Sequence, residues 1–168
     1  PIWSVFQLAT FGQVQEIVTA SAASTDAEGR LRRFDFFMAS GELKLSARGE
    51  VKKGLIVMEV VQDGEQTKLE FPVQKPPHVG ASLESAIRNM DLAIGKEFRI
   101  PFFDPVSLSD GEMVLRVVDS EILENGEEAW WIVSSFGDIE TRSMVSTTGD
   151  ILRQEGAMGL SMVRMTPE

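Results

Sequence analysis

Cysteine and tyrosine are missing from this 168-residue sequence, and histidine occurs once, at position 78. Without a thiol there is no cysteine nucleophile, no cysteine-rich zinc site, no iron–sulfur cluster and no disulfide framework. His78 is the sole imidazole available to any histidine-based catalytic set. Long apolar runs are missing too. No window reaches the roughly 18–20 residues of a membrane span, and no basic, apolar and small-residue signal opens the chain. Positive charge is scarce, with 16 basic against 26 acidic residues and a net charge of -10. That balance, with an isoelectric point near 4.6, speaks against nucleic acid and anionic lipid as partners, because both are bound through basic patches.

What is present is ordinary for a globular protein, at 43% hydrophobic and 25% charged residues. The length suits one domain able to bury roughly 70% of the surface its unfolded chain exposes, and 1–168 is read as a single β domain. The sequence opens on Pro1-Ile2-Trp3-Ser4-Val5-Phe6, without an initiator methionine, and stops at Met165-Thr166-Pro167-Glu168. It is read as a piece excised from a longer chain, with any targeting signal outside it. Charge is uneven along it. Residues 30–53 hold seven bases against Asp35, Glu42 and Glu50, whereas 101–130 hold eight acids against Arg116. Two segments so charged would complement each other if they shared a sheet.

The dominant pattern has period two. In 43–51, Leu43, Leu45, Ala47, Gly49 and Val51 alternate with Lys44, Ser46, Arg48 and Glu50, as a strand with one wet face requires. Phe34, Phe36 and Met38 precede it as the other arm of a hairpin. Lys53-Gly54 leads into 55–61, and Asp63-Gly64, a strong hairpin signal, leads into 66–73. Ser109-Asp110-Gly111, Asn125-Gly126, Gly137-Asp138 and Gly149-Asp150 punctuate segments 112–121, 128–136, 139–146 and 151–155. With 3–11, 13–20 and 160–165, this predicts about ten or eleven strands. After Pro76-Pro77, Leu83, Ile87 and Met90 recur at helical spacing, with Ser82 as N-cap and Gly95 as stop. The expected fold is all-β, mainly antiparallel: a curved meander or partial barrel with one short helix near 82–91.

Motifs with chemistry are few. Gly156-Ala157-Met158-Gly159 lacks the spacing and lysine of a phosphate loop. His78 has Ser82 and Ser85 nearby in sequence, but no nucleophile elbow. Asp104, Asp119, Glu121, Glu127 and Glu128 could form the carboxylate pair of a glycoside hydrolase. Asp104 stands out in Phe102-Phe103-Asp104-Pro105, where Asp before Pro also reads as a turn opener. Trp130-Trp131 in a strand sends one indole inward and one outward. With Phe11, Phe102, Phe103, Asp104 and Met113, the outward tryptophan marks a candidate binding face. Met38, Met58, Met113, Met144, Met158, Met162 and Met165 fall in or beside strands, where thioethers fill cores or line adaptable cavities. No catalytic, metal or cofactor residue is assigned.

The ordered set Gly29-Arg30-Leu31-Arg32-Arg33-Phe34-Asp35-Phe36, Leu45-Ser46-Ala47-Arg48-Gly49, Phe98-Arg99-Ile100-Pro101-Phe102-Phe103-Asp104-Pro105, Gly149-Asp150-Ile151-Leu152-Arg153-Gln154-Glu155 and Gly159-Leu160-Ser161-Met162-Val163-Arg164 resembles the β-rich region preceding the transglutaminase-like domain of certain bacterial envelope proteins. It is also loosely similar to periplasmic curved-sheet domains of unknown function. The resemblance runs from about residue 11 to the C-terminus. It implies a non-catalytic accessory module in a periplasmic or otherwise extracytoplasmic setting, with the downstream domain of its own parent chain as partner. The Cys, His and Asp of that family's papain-like site have no counterpart here. The alternative expectation is a carrier of a hydrophobic, lipid-like ligand on the concave face of the sheet. A carboxylate-based hydrolase comes third.

Overall fold

The computed structural model describes residues 2–10, 13–27, 30–156 and 161–163, with side-chain surroundings over 16–27, 30–80 and 82–156. Gly29, Phe11, Ala157, Met158, Gly159, Leu160, Arg164 and Met165 lie outside the described residues, as do the side chains of Trp3 and Met162. Among the described residues there are twelve strands: β1 (Ile2–Thr10), β2 (Gln13–Thr25), β3 (Leu31–Ser40), β4 (Leu43–Lys52), β5 (Leu55–Gln62), β6 (Glu65–Pro72), β7 (Glu97–Asp104), β8 (Ser109–Ile122), β9 (Glu128–Phe136), β10 (Ile139–Ser146), β11 (Ile151–Glu155) and β12 (Ser161–Val163). One short helix, α1 (Leu83–Arg88), follows a 3-10 turn at Gly80–Ser82. The protein is all-β and mainly antiparallel, as its period-two patterning predicts.

The strands form two six-stranded meanders, β1 to β6 in sequence order and β7 to β12 in sequence order, and neither closes into a barrel. Tight turns set the registers. Lys53 and Gly54 have φ of 47° and 79°, and Asp63 and Gly64 have φ of 51° and 89°. Two successive positive φ values are what a two-residue hairpin needs to match strand twist.

Three details depart from the sequence expectation. β7 is not among the strands that the alternation predicts, because Pro101 interrupts the pattern. It is tolerated because β7 lies at the end of its sheet, where a missing N–H leaves no ladder bond unmade. The turn before β8 falls at 105–108 rather than at Ser109-Asp110-Gly111, which lie within the strand. The helix ends at Arg88, short of the expected residue 91.

The chain divides into two compact units, Pro1–Leu83 with Phe103–Asp110, and Glu84–Phe102 with Gly111–Glu168. In the first, one sheet face is apolar. Leu31, Phe34, Leu45, Ala47, Ile56, Met58 and Val60 are buried with Val79 and Phe103. Phe103 is fully buried, its ring 5.8 Å from that of Phe34 and 5.6 Å from that of Phe71. Gly49 lies opposite Phe34 in the ladder, and a Cβ there would come within 2.2 Å of the ring, so this strand glycine is required by the aromatic above it. Leu108 packs against the same core from a left-handed backbone, φ 55°.

In the second unit, Leu115, Val117, Ile132 and Val145 are buried and share one sheet face through the pairs Leu115–Ser134, Val117–Ile132, Ile132–Ser143 and Val145–Trp130. A bulge at Val118 then shifts β8 by one residue, so Asp119 and Glu121 fall beside Trp131 and Ala129. Helix α1 is tied to the β10–β11 turn. Glu84 Oε1 accepts from the Ile151 amide at 3.1 Å, and Arg88 Nε donates to the Thr148 carbonyl at 2.9 Å.

The bases of 30–53 and the acids of 101–130 do not share a sheet. Some members of each set pair locally instead, Arg48–Asp35 at 2.8 Å and Lys52–Glu50 at 2.8 Å in the first unit and Arg99–Glu112 at 2.9 Å in the second.

Candidate interaction face

Of the expected binding face, Phe11 lies outside the described residues, and Trp130, Trp131, Phe102, Phe103, Asp104 and Met113 are distributed between the two units. Phe102 and Phe103 are consecutive in a strand and point to opposite sides. Phe102 packs edge-on against Phe136, with ring centroids 5.0 Å apart, in the second unit. Phe103 fills the first core, and Met113 is buried in the second unit. Asp104 opens the turn that follows. Its carboxylate accepts from the Val106 amide at 3.0 Å, the Ser107 amide at 3.3 Å and the Ser107 hydroxyl at 2.6 Å. That is the turn-opening role of an aspartate before proline.

Trp130 and Trp131 face opposite sides of the second sheet, as their adjacency requires. Trp131 is 7% exposed, packed with Ala129 and Met144. Its Nε1–H donates to Glu121 Oε2 at 3.1 Å, and the Arg142 guanidinium lies 4.4 Å above its ring. The buried indole therefore has both its polar edge and its π-face engaged. Trp130 is half-buried.

The His78 neighbourhood holds a serine, though not as a nucleophile. Ser82 is 2% exposed, accepts from the Val79 amide at 3.0 Å and donates to the Val79 carbonyl at 3.1 Å. Its oxygen lies 3.4 Å from His78 Nδ1. The bonds that close the 3-10 turn are those between Ser82 and Val79. Burial pushes the His78 pKa below its ordinary value.

A surface that sequence reasoning did not single out is the solvent face of the first sheet. Ladder pairing aligns Asp35, Arg48, Glu59 and Lys68 on consecutive strands β3, β4, β5 and β6. Arg48 Nε donates to Asp35 Oδ1 at 2.8 Å. Glu59 and Lys68 are opposite in register and exposed, and no ion pair joins them among the described residues. Two open depressions flank this row. One, about 390 Å³, is lined by apolar Ala20, Ala22, Phe37 and Val61 beside Ser46 and the charged row. The other, about 330 Å³, is bordered by Arg33, Glu50, Val57 and Lys68. The signal that could have found this face lay in the alternation itself, since the polar positions of adjoining strands fall in register.

Asp35 and Glu59 both border the larger depression, two strand spacings apart, or about 9–10 Å between backbones. That approaches the separation used by inverting glycosidases. Arg48 stands between them, however, and the face is open to water. A carboxylic acid poised to protonate a leaving group needs desolvation, which this face does not supply. Among the described residues, no three acidic or histidine side chains are grouped to hold a metal ion. No helix of the described chain is long and apolar enough to cross a membrane. Comparison with protein-family models, with curated proteins and with solved structures finds no match to this chain.

Proposed function

We propose that this chain is a non-catalytic interaction module, an accessory part of a bacterial envelope protein that docks on the transglutaminase-like domain following it. The observation that carries the interaction reading is the solvent face of the first sheet, where a charged row runs between two depressions of about 390 and 330 Å³. The envelope setting and the identity of the docking domain rest on the sequence resemblance alone. Supporting a non-catalytic role, the reactive groups nearest to a catalytic arrangement are engaged in holding local structure. Ser82 closes a 3-10 turn, Asp104 closes a β-turn, and Glu121 anchors an indole.

The test is to express the polypeptide that the parent reading frame encodes beyond residue 168 and titrate it against this chain. Micromolar binding that weakens when Glu59 is reversed to Lys supports the reading. A reading frame that does not continue into a Cys-, His- and Asp-bearing domain overturns it. The second reading, carriage of an apolar ligand, draws on the strip of Ala20, Ala22, Phe37 and Val61 in the larger depression. Saturable binding of a fluorescent fatty acid, lost on Phe37→Asp, would favour it.

A further inference from the structure

The charged row on the first sheet has a symmetry that names a partner. From β3 to β6 it reads Asp35, Arg48, Glu59, Lys68, or minus, plus, minus, plus. A second copy packed face to face, related by a two-fold axis that lies between the two sheets and runs parallel to the strands between Arg48 and Glu59, presents the same row reversed: plus, minus, plus, minus. Every charge then meets its opposite. Asp35 of one copy faces Lys68 of the other, and Arg48 faces Glu59, each pair occurring twice. An isologous interface demands this self-complementarity, and a row of four alternating charges is a short pattern that satisfies it.

We propose that this face pairs with a second copy of the same chain. The proposal deepens the reading of this face as an interaction surface, giving it a partner distinct from the downstream domain. The side chains are free to make the contacts. Arg48 uses Nε for Asp35, and its side chain is 76% exposed, leaving guanidinium N–H groups for a second carboxylate. Glu59 and Lys68 have not paired with each other although they are opposite in register.

The adjoining rows fit under the same axis. On one side of the charged row lie Phe37, Ser46, Val61 and Gln66, and on the other lie Arg33, Glu50, Val57 and Glu70. The rotation lays each adjoining row over its own counterpart in reverse order, so that Arg33 of one copy faces Glu70 of the other, while Phe37 faces Gln66 and Ser46 faces Val61. The Arg33–Glu70 contact thus adds two further opposite-charge pairs at the flank of the central row. Charge also favours the first unit over the second for self-contact. The first holds 9 basic and 12 acidic residues, the second 7 and 14. Four strands span only about 14 Å across the ladder, so the interface belongs to the small, weak class.

The experiment is sedimentation equilibrium of this chain from micromolar to several hundred micromolar at low salt. The expected result is a mass rising from 18.6 kDa toward twice that value, with the dimer weakened by added salt as exposed ion pairs require. Arg48→Glu alone and Glu59→Arg alone should each weaken association roughly tenfold or more, because each sets like charges face to face at two places. Mixed in equal amounts, the two variants face each other with opposite charges at both places and should dimerise again. A wild-type chain that stays monomeric throughout overturns the inference. So does a dimer that survives both reversals, and so does a mixture no more associated than its components. Failure here leaves the titration against the downstream polypeptide standing as the separate test of the interaction reading.

Discussion

The two units are built from the same element, a six-stranded meander, and differ in what each sheet does with its second face. The first divides its residues cleanly. Leu45, Ala47, Ile56, Met58 and Val60 are buried on one side, and Ser46, Arg48 and Glu59 meet water on the other. The second buries apolar side chains on both sides, Leu115, Val117 and Ile132 on one and Ala129, Trp131 and Met144 on the other. The bulge at Val118 contributes to the difference by reassigning the faces of β8 midway. A sheet with one wet face has room for a recognition surface, whereas a sheet packed on both has little to offer a partner. That is why the charged row, and with it the proposed function, sits on the first.

The strongest way to break this comparison is to strike each unit through adjacent residues. Phe103→Ala should cost about 3–5 kcal/mol by emptying the first core. Amide exchange should accelerate in β3 to β6 and leave β9 and β10 protected. Phe102→Ala, whose ring meets Phe136, should do the reverse at a somewhat smaller cost. If both variants loosened the same strands, the division into two units would be wrong.

Gly149→Ala tests what holds the second unit to its helix. The residue has φ 85°, and a Cβ would come within 2.8 Å of the Arg88 backbone. We expect a loss of about 2–3 kcal/mol in urea unfolding, against about 1 kcal/mol for Gly126→Ala, where φ is 83° but nothing lies within 4 Å. Equal costs would mean that backbone strain alone decides, and that the Arg88 contact contributes nothing.

Ser82→Ala removes both bonds to Val79 from a buried site and should cost about 1–2 kcal/mol. Restoration by Thr would tie the loss to the hydroxyl. The smallest effect is that of pH. His78 has its pKa lowered by burial from an ordinary value near 6.5. The unfolded chain therefore takes up the proton first as pH falls. The contribution is fully present above about pH 6.5 and declines progressively on acidification. Comparing unfolding midpoints of the wild type and His78→Gln between pH 7.5 and 5 should show a steeper acid loss in the wild type. A parallel pair of curves would contradict it.

Much of the fold was legible because hairpin strands announce themselves twice, in alternation and in turn chemistry. Strands 43–52, 55–62, 128–136, 139–146 and 151–155 follow from polar–apolar alternation closed by Lys-Gly, Asp-Gly, Asn-Gly or Gly-Asp. β7 escaped because Pro101 is read locally as a breaker, whereas its acceptability depends on the strand lying at the end of the sheet. The opening of the turn at 105–108 was legible in Asp104-Pro105, but its end was not, because Leu108 takes a positive φ that sequence assigns to glycine, a conformation accompanied by packing of its side chain in the first core. The candidate site was the least legible part. Phe102, Phe103, Trp131 and Met113 have the composition of a binding face, but burial follows three-dimensional neighbours that one sequence does not contain. The charged row was hidden for a related reason. Asp35, Arg48, Glu59 and Lys68 are each unremarkable, and only the cross-strand register makes them a pattern.

The first unit is assembled from two stretches of chain, and that imposes a timetable on synthesis. Phe103 and Leu108 belong to a core whose other members lie between Ala23 and Val79. A ribosome that has delivered all six strands of the first sheet has not yet delivered the side chains that fill its apolar face. At about 5–20 residues per second, the wait from Leu83 to Asp110 is on the order of seconds. During that interval Phe34 and Phe71 lack the Phe103 ring that packs between them in the finished core. The Phe102-Phe103 dipeptide thus acts as a temporal latch, since the residue that completes the first core arrives next to one that helps begin the second.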